Sequence, residues 1–141
     1  MAVTFFGSRD APLFLKTLLE NIVCSLVYEG ERDFFIGDSG AFDKMALSAV
    51  ESIKAQCPWI NLTVVLSTHP TTPCKQAASL LPCEILSAPP KFRIDRRNRW
   101  LIDHSDIIVT FAPFSFGGAY KFKTLALKKG KRIIELSEFA P

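Results

Sequence analysis

Three short segments combine glycine with a hydroxyl side chain, and each follows an apolar run: Gly7-Ser8-Arg9-Asp10, Gly37-Asp38-Ser39-Gly40 and Ser115-Phe116-Gly117-Gly118. Residues of these types can hold an anion. Glycine lets the backbone approach closely, and the free N–H groups of a helix N-terminus face negative charge. Ser8, Ser39 and Ser115 add hydroxyl donors, and Arg9 adds a charge-assisted fork. Asp38 sits just past its apolar run, where a carboxylate can accept from ribose hydroxyls. A fourth segment, Ser67-Thr68-His69-Pro70, brings His69 as a candidate base. Taken singly, each segment also reads as an ordinary turn; the case for a ligand rests on their meeting. None is a Walker A or GxGxxG pattern, which disfavours a plain dinucleotide dehydrogenase.

For these loops to meet, the elements between them must bring them to one edge. Val3–Phe6, Asp33–Gly37, Asn61–Ser67, Cys83–Ala88, Asp106–Ala112 and Arg132–Leu136 read as strands, rich in β-branched and aromatic residues. Between them, apolar residues recur at helical spacing over Pro12–Tyr28, Gly40–Gln56, Arg93–His104 and Tyr120–Lys129, with a short helix in Cys74–Leu81. Such alternation predicts an α/β fold: one doubly wound domain over residues 1–141, with a mainly parallel sheet and helices on both faces. In that architecture the loops after the strands share one edge, and ligands bind there near a switch in strand order.

Composition excludes several classes. With 48% hydrophobic residues and a mean hydropathy of +0.19, the chain is expected to be ordered. Its apolar runs are too short to span a bilayer, and MAVTFFGSRD has no basic n-region or long apolar h-region. We therefore expect a cytoplasmic protein without membrane partners. Cys24, Cys57, Cys74 and Cys83 form no C-x-x-C pair, and His69 and His104 supply no zinc spacing. The expectation is no metal, no resident cofactor and reduced, mostly buried thiols, with a Cys74–Cys83 bridge as the lesser alternative. A net charge of +3 is mild for a nucleic-acid binder, although KFRIDRRNR and KKGKR cluster cations.

Four motifs, in order, carry a resemblance: FFGSRD, GDSGAFDKMAL, RNRWLIDHSDIIVTF and GGAYKFKTLALKKGKRIIEL. Across nearly the whole chain they resemble the SLOG superfamily of Rossmann-like proteins, particularly its YpsA-like branch. The resemblance implies a Rossmann-like domain that binds a nucleotide or an ADP-ribose-like ligand, and a homodimer, with apolar surface near Trp100 as the candidate interface. It also implies roles for the Arg97-Asn98 pair and for Asp43, which matches the family's GFD element. Another branch, the LOG-type phosphoribohydrolases, carries PGGxGTxxE. Here Phe116 stands for the proline, Gly117-Gly118 match the glycines, Tyr120 and Lys121 fall where glycine and threonine are expected, and Thr124 falls where the glutamate is expected.

A threonine cannot act as that carboxylate. The leading expectation is a binding module using Gly7, Ser8, Arg9, Asp38, Ser39, Gly40, Arg97, Ser115, Gly117 and Gly118. The alternative is a nucleoside-monophosphate phosphoribohydrolase or related N-glycosidic hydrolase whose carboxylate is Asp38 or Asp43, with His69 as base. Nucleic-acid binding ranks third. Arg97 has a second reading as part of a solvated helix face; Tyr120 reads as packing at the core edge, with stacking on a base as the alternative, and Asp106 as a turn or backbone cap. Trp59 and Trp100 read as core or interface residues. Lys121 and Lys123 open the last helix against its dipole, which an anion between them and the glycines would offset.

Overall fold

The computed structural model describes residues 2–69 and 78–139. Six strands, β1 (Ala2–Gly7), β2 (Asp33–Gly37), β3 (Asn61–Val65), β4 (Ala78–Leu80), β5 (Ile107–Phe111) and β6 (Arg132–Glu135), form one sheet. Its order is β4-β3-β2-β1-β5-β6 and every pairing is parallel. The chain winds outward from β1 to one side, then crosses to β5 on the other side of β1. Right-handed crossovers that run in one direction from β1 and then in the other put the two sets of helices on opposite faces. Helices α1 (Leu15–Tyr28) and α2 (Ala41–Gln56) cover one face; α3 (Cys83–Leu86), α4 (Arg93–Asp103) and α5 (Gly118–Lys128) cover the other.

The strand pleat sorts side chains between the two cores. Val3, Phe5, Phe34, Ile36, Ile107 and Val109 pack against the Leu15, Leu19, Val23 and Leu26 stripe of α1 and the Phe42, Ala46, Ala49 and Val50 stripe of α2. Phe6, Val65 and Ile108 point the other way, onto Ile85, Leu101, Ile102, Phe122 and Ala126. This is the expected Rossmann-like α/β architecture. Asp106 closes the sheet's lower end: its Oδ2 accepts from the Ala2 N–H at 3.1 Å. No described helix is long and apolar enough to cross a membrane.

Several local expectations are overturned. Cys83–Ala88, read as a strand, contains the short helix α3, whose Ile85 plugs the second core. The open edge of β3 is paired instead by Ala78–Leu80, expected in a helix; Thr63, Val64 and Val65 align with Ala78, Ser79 and Leu80. Residues 74–77 of that expected helix lie outside the described residues, as does Cys74 of the alternative bridge. Cys24 and Cys83 are exposed and Cys57 half-buried, so these thiols are not mostly buried. Trp59 is 55% exposed and is not a core residue. Trp100 is half-buried, edge-on to Phe35 and stacked on His104.

Candidate functional site

The strand order reverses between β1 and β5, and a cleft of about 910 Å³ opens above their carboxyl ends. Gly7-Ser8-Arg9-Asp10 form one wall, Ser39 to Asp43 a second, and Ala112 to Phe114 with Phe116 to Ala119 a third; Ile94, Arg97 and Asn98 of α4 close it. Two helices begin in this cleft. Gly40 precedes α2 with φ 92° and ψ 170°, and Gly117 precedes α5 with φ 91° and ψ 177°. That region of backbone space is essentially restricted to glycine. No side chain caps either helix, so the first-turn N–H groups of both remain for solvent or a ligand. Beside them Phe114 and Phe116 stack with centroids 5.3 Å apart, 51% and 73% exposed.

Beneath the N-terminus of α2 lies a charged cluster. Arg97 is only 2% exposed. Its guanidinium pairs with Asp38 Oδ1, donates to Ser39 Oγ at 2.9 Å, and through Nε to Asn98 Oδ1 at 3.0 Å. Asp38 in turn accepts from the Ser67 N–H and hydroxyl, both at 3.1 Å. Asp43, at the third position of α2, reaches back to accept from the Ser39 N–H at 3.0 Å. Burial pushes the Asp43 carboxyl up to about 6, against the opposing pull of Arg97 and the Ser39 N–H. Gly37 makes room for this cluster: a Cβ there would stand 2.7 Å from Arg97 Cζ and 2.9 Å from Asp43 Oδ2.

A second polar latch sits under α5. The Glu135 carboxylate accepts from the Ala112 N–H at 3.0 Å, from the Ser137 N–H at 3.1 Å and hydroxyl at 2.9 Å, and from Lys123 Nζ at 2.8 Å. Burial alone would raise its pKa, but Lys123 and these donors outweigh it and hold the group below its ordinary value of 4.5. Lys121 pairs with Asp95 at 2.7 Å. The cations that open α5 are therefore balanced by carboxylates of the chain itself, so a bound anion is not required to offset them.

The fold is similar to that of DNA processing protein A. The solved structure of that protein (DprA) from Streptococcus pneumoniae matches with a TM-score of 0.70 at 17% identity. The match covers 95% of this chain but 49% of DprA, so the chain spans about half the length of that structure. At that identity the likeness is one of fold. It agrees with the expected Rossmann-like fold and does not test the SLOG resemblance or its YpsA-like branch. Comparison with protein-family models gave no match, and neither did comparison with curated protein sequences.

Most of the expected site residues converge. Gly7, Ser8, Arg9, Ser39, Gly40, Asp43, Arg97, Gly117 and Gly118 line the cleft. Asp38, Ser115 and His69 do not. Asp38 is turned toward Arg97 and Ser67 rather than left free for a ribose; Ser115 and His69 are exposed outside the lining. Arg97 is the reverse of a solvated helix face. Gly7 has a packing reason for being glycine, since a Cβ there would lie 2.0 Å from the Phe42 ring. Its neighbour Ser8 already spends its N–H on the Phe111 carbonyl at 2.9 Å, and α1 starts only at Leu15 rather than at Pro12. The helix N-termini in the cleft are thus those of α2 and α5, and α1 contributes none. The Phe114–Phe116 stack was missed; the adjacent aromatics in PFSF were the available signal. Thr124, in the glutamate position of the LOG-type motif, donates to the Tyr120 carbonyl at 2.9 Å.

Proposed function

We propose that the cleft binds a nucleotide-type ligand, with a phosphate between the N-termini of α2 and α5. The observation that carries this reading is the pair of uncapped helix starts, each set by a glycine in the same backbone conformation. A phosphate there takes hydrogen bonds from both first turns and lies at the positive ends of both dipoles. Arg9 and the Ser8 and Ser39 hydroxyls are at hand to extend the contact, and the exposed Phe114–Phe116 stack offers a surface for a base. Binding is favoured over N-glycosidic cleavage because Asp38 is committed to Arg97 and Ser67 and the LOG-type glutamate is a threonine. Of the two carboxylates put forward for hydrolysis, only Asp43 lines the cleft.

The test is a calorimetric titration with AMP, ADP-ribose, NAD and a cyclic dinucleotide, each mixture then being chromatographed. Intact ligand should bind, and Gly118→Asp, which sets a carboxylate in the phosphate position, should abolish the heat. Released free base would make the protein a hydrolase. Silence from every ligand would sink the reading.

A second reading is supported by the exposed aromatic pair beside basic helices and by the likeness to a protein named for DNA processing. In it the phosphate belongs to a single nucleic-acid strand whose bases stack on Phe114 and Phe116.

A further inference from the structure

A second hollow, of about 490 Å³, runs along α5 between that helix and α4. Gly117 lines both hollows, so the two meet at the start of α5. From there the groove follows one stripe of the helix, Tyr120, Lys121, Thr124, Leu125 and Lys128, with Arg99 of α4 opposite. The helical rise makes this stripe about 12 Å long, enough for one nucleotide unit. Its floor offers the face of Tyr120, 39% exposed, and the flank of Leu125. Its walls carry Arg99, Lys121 and Lys128; Asp95 pairs with the first two, leaving the groove net positive.

Each hollow therefore has its own aromatic surface, Phe114–Phe116 on one side and Tyr120 on the other. The glycine seam between them is where an uncapped helix start exposes N–H groups. Resting on the nucleotide reading of the main cleft, we propose that the ligand has two nucleotide units joined through phosphate. The first unit lies in the main cleft, the linking phosphate crosses Gly117-Gly118, and the second unit occupies the basic α4–α5 groove. The shared chemistry is an anionic bridge flanked by two bases, and either a pyrophosphate or a phosphodiester linkage supplies it.

The experiment compares AMP with NAD and with the 5′-phosphorylated dinucleotide pApA by calorimetry. One base stacked in a charged groove should make at least one two-unit ligand bind about ten-fold tighter than AMP or better. The tighter of the two identifies the linkage. The double variant Tyr120→Ala/Lys128→Ala, at two exposed positions outside the main cleft, should lose most of that gain and keep the affinity for AMP. Equal affinity for all three ligands would overturn the second subsite while leaving the nucleotide reading intact. So would a gain that survives in the double variant. Failure of AMP and both two-unit ligands to bind would overturn the nucleotide reading and this inference with it.

Discussion

Asp43 is a cleft residue whose protonation the fold shifts. Its carboxyl is lifted from 3.8 to about 6 chiefly by burial, so the folded protein holds a proton there that the unfolded chain releases. Between those values the folded state binds more protons, and stability falls as pH rises. Glu135 has the opposite sign: held below 4.5, its contribution is present above that pH and is lost as pH drops through its folded value. From pH 7 to 5 the Asp43 effect should therefore dominate. We expect wild-type stability to gain about 1 kcal/mol over that interval relative to Asp43→Asn, which cannot titrate. Urea denaturation of both proteins at each pH measures it, and parallel pH profiles would remove Asp43 as the cause. The same proton bears on ligand binding, because an anion in the cleft meets a neutral acid below about pH 6 and a carboxylate above it.

At the scale of elements, the two adjacent glycines at the start of α5 separate into different roles. Gly117 holds φ 91° with nothing within 4 Å of an added Cβ, so backbone conformation alone demands glycine. Gly118 is the first helical residue, has no positive φ and also faces open space. Gly117→Ala should cost about 1–3 kcal/mol in thermal or chemical denaturation. Gly118→Ala should cost nothing, since alanine is the better helix former, yet it should weaken AMP binding by crowding the seam. Equal stability of the two variants would contradict the backbone argument. The glycines and their helices were legible in the sequence because their signals are local: an apolar run, a glycine, then helical spacing. The strand at Ala78–Leu80 and the helix at Cys83–Leu86 were not. Runs as short as ASL and CEIL carry no usable period, and what decides them is the open edge of β3 and the pocket that Ile85 fills. The Asp38–Arg97 pair was invisible for another reason: its partners lie 59 residues apart, and an arginine among RIDRRNR has no local mark of burial.

For the molecule as a whole, the cleft joins the two halves of the winding. α2 belongs to the half built outward through β2 and β3, and α5 to the half built through β5 and β6. In the nucleotide reading a phosphate between their N-termini would be held largely by N–H dipoles, whereas in the nucleic-acid reading a strand across the basic α4–α5 side would be held by several cations. Salt separates these modes. A strand contacting about three phosphates should lose affinity with a log–log slope near −2, roughly 100-fold between about 50 and about 500 mM salt. A single nucleotide phosphate should lose no more than about five-fold over the same range. Measured by fluorescence anisotropy for a labelled oligonucleotide and by calorimetry for AMP, the slopes choose between the two readings of the cleft. A shallow slope with tight AMP binding fits capture by the paired helix starts. A steep slope with weak AMP binding moves the weight of recognition from those N–H groups to the cations of α4 and α5.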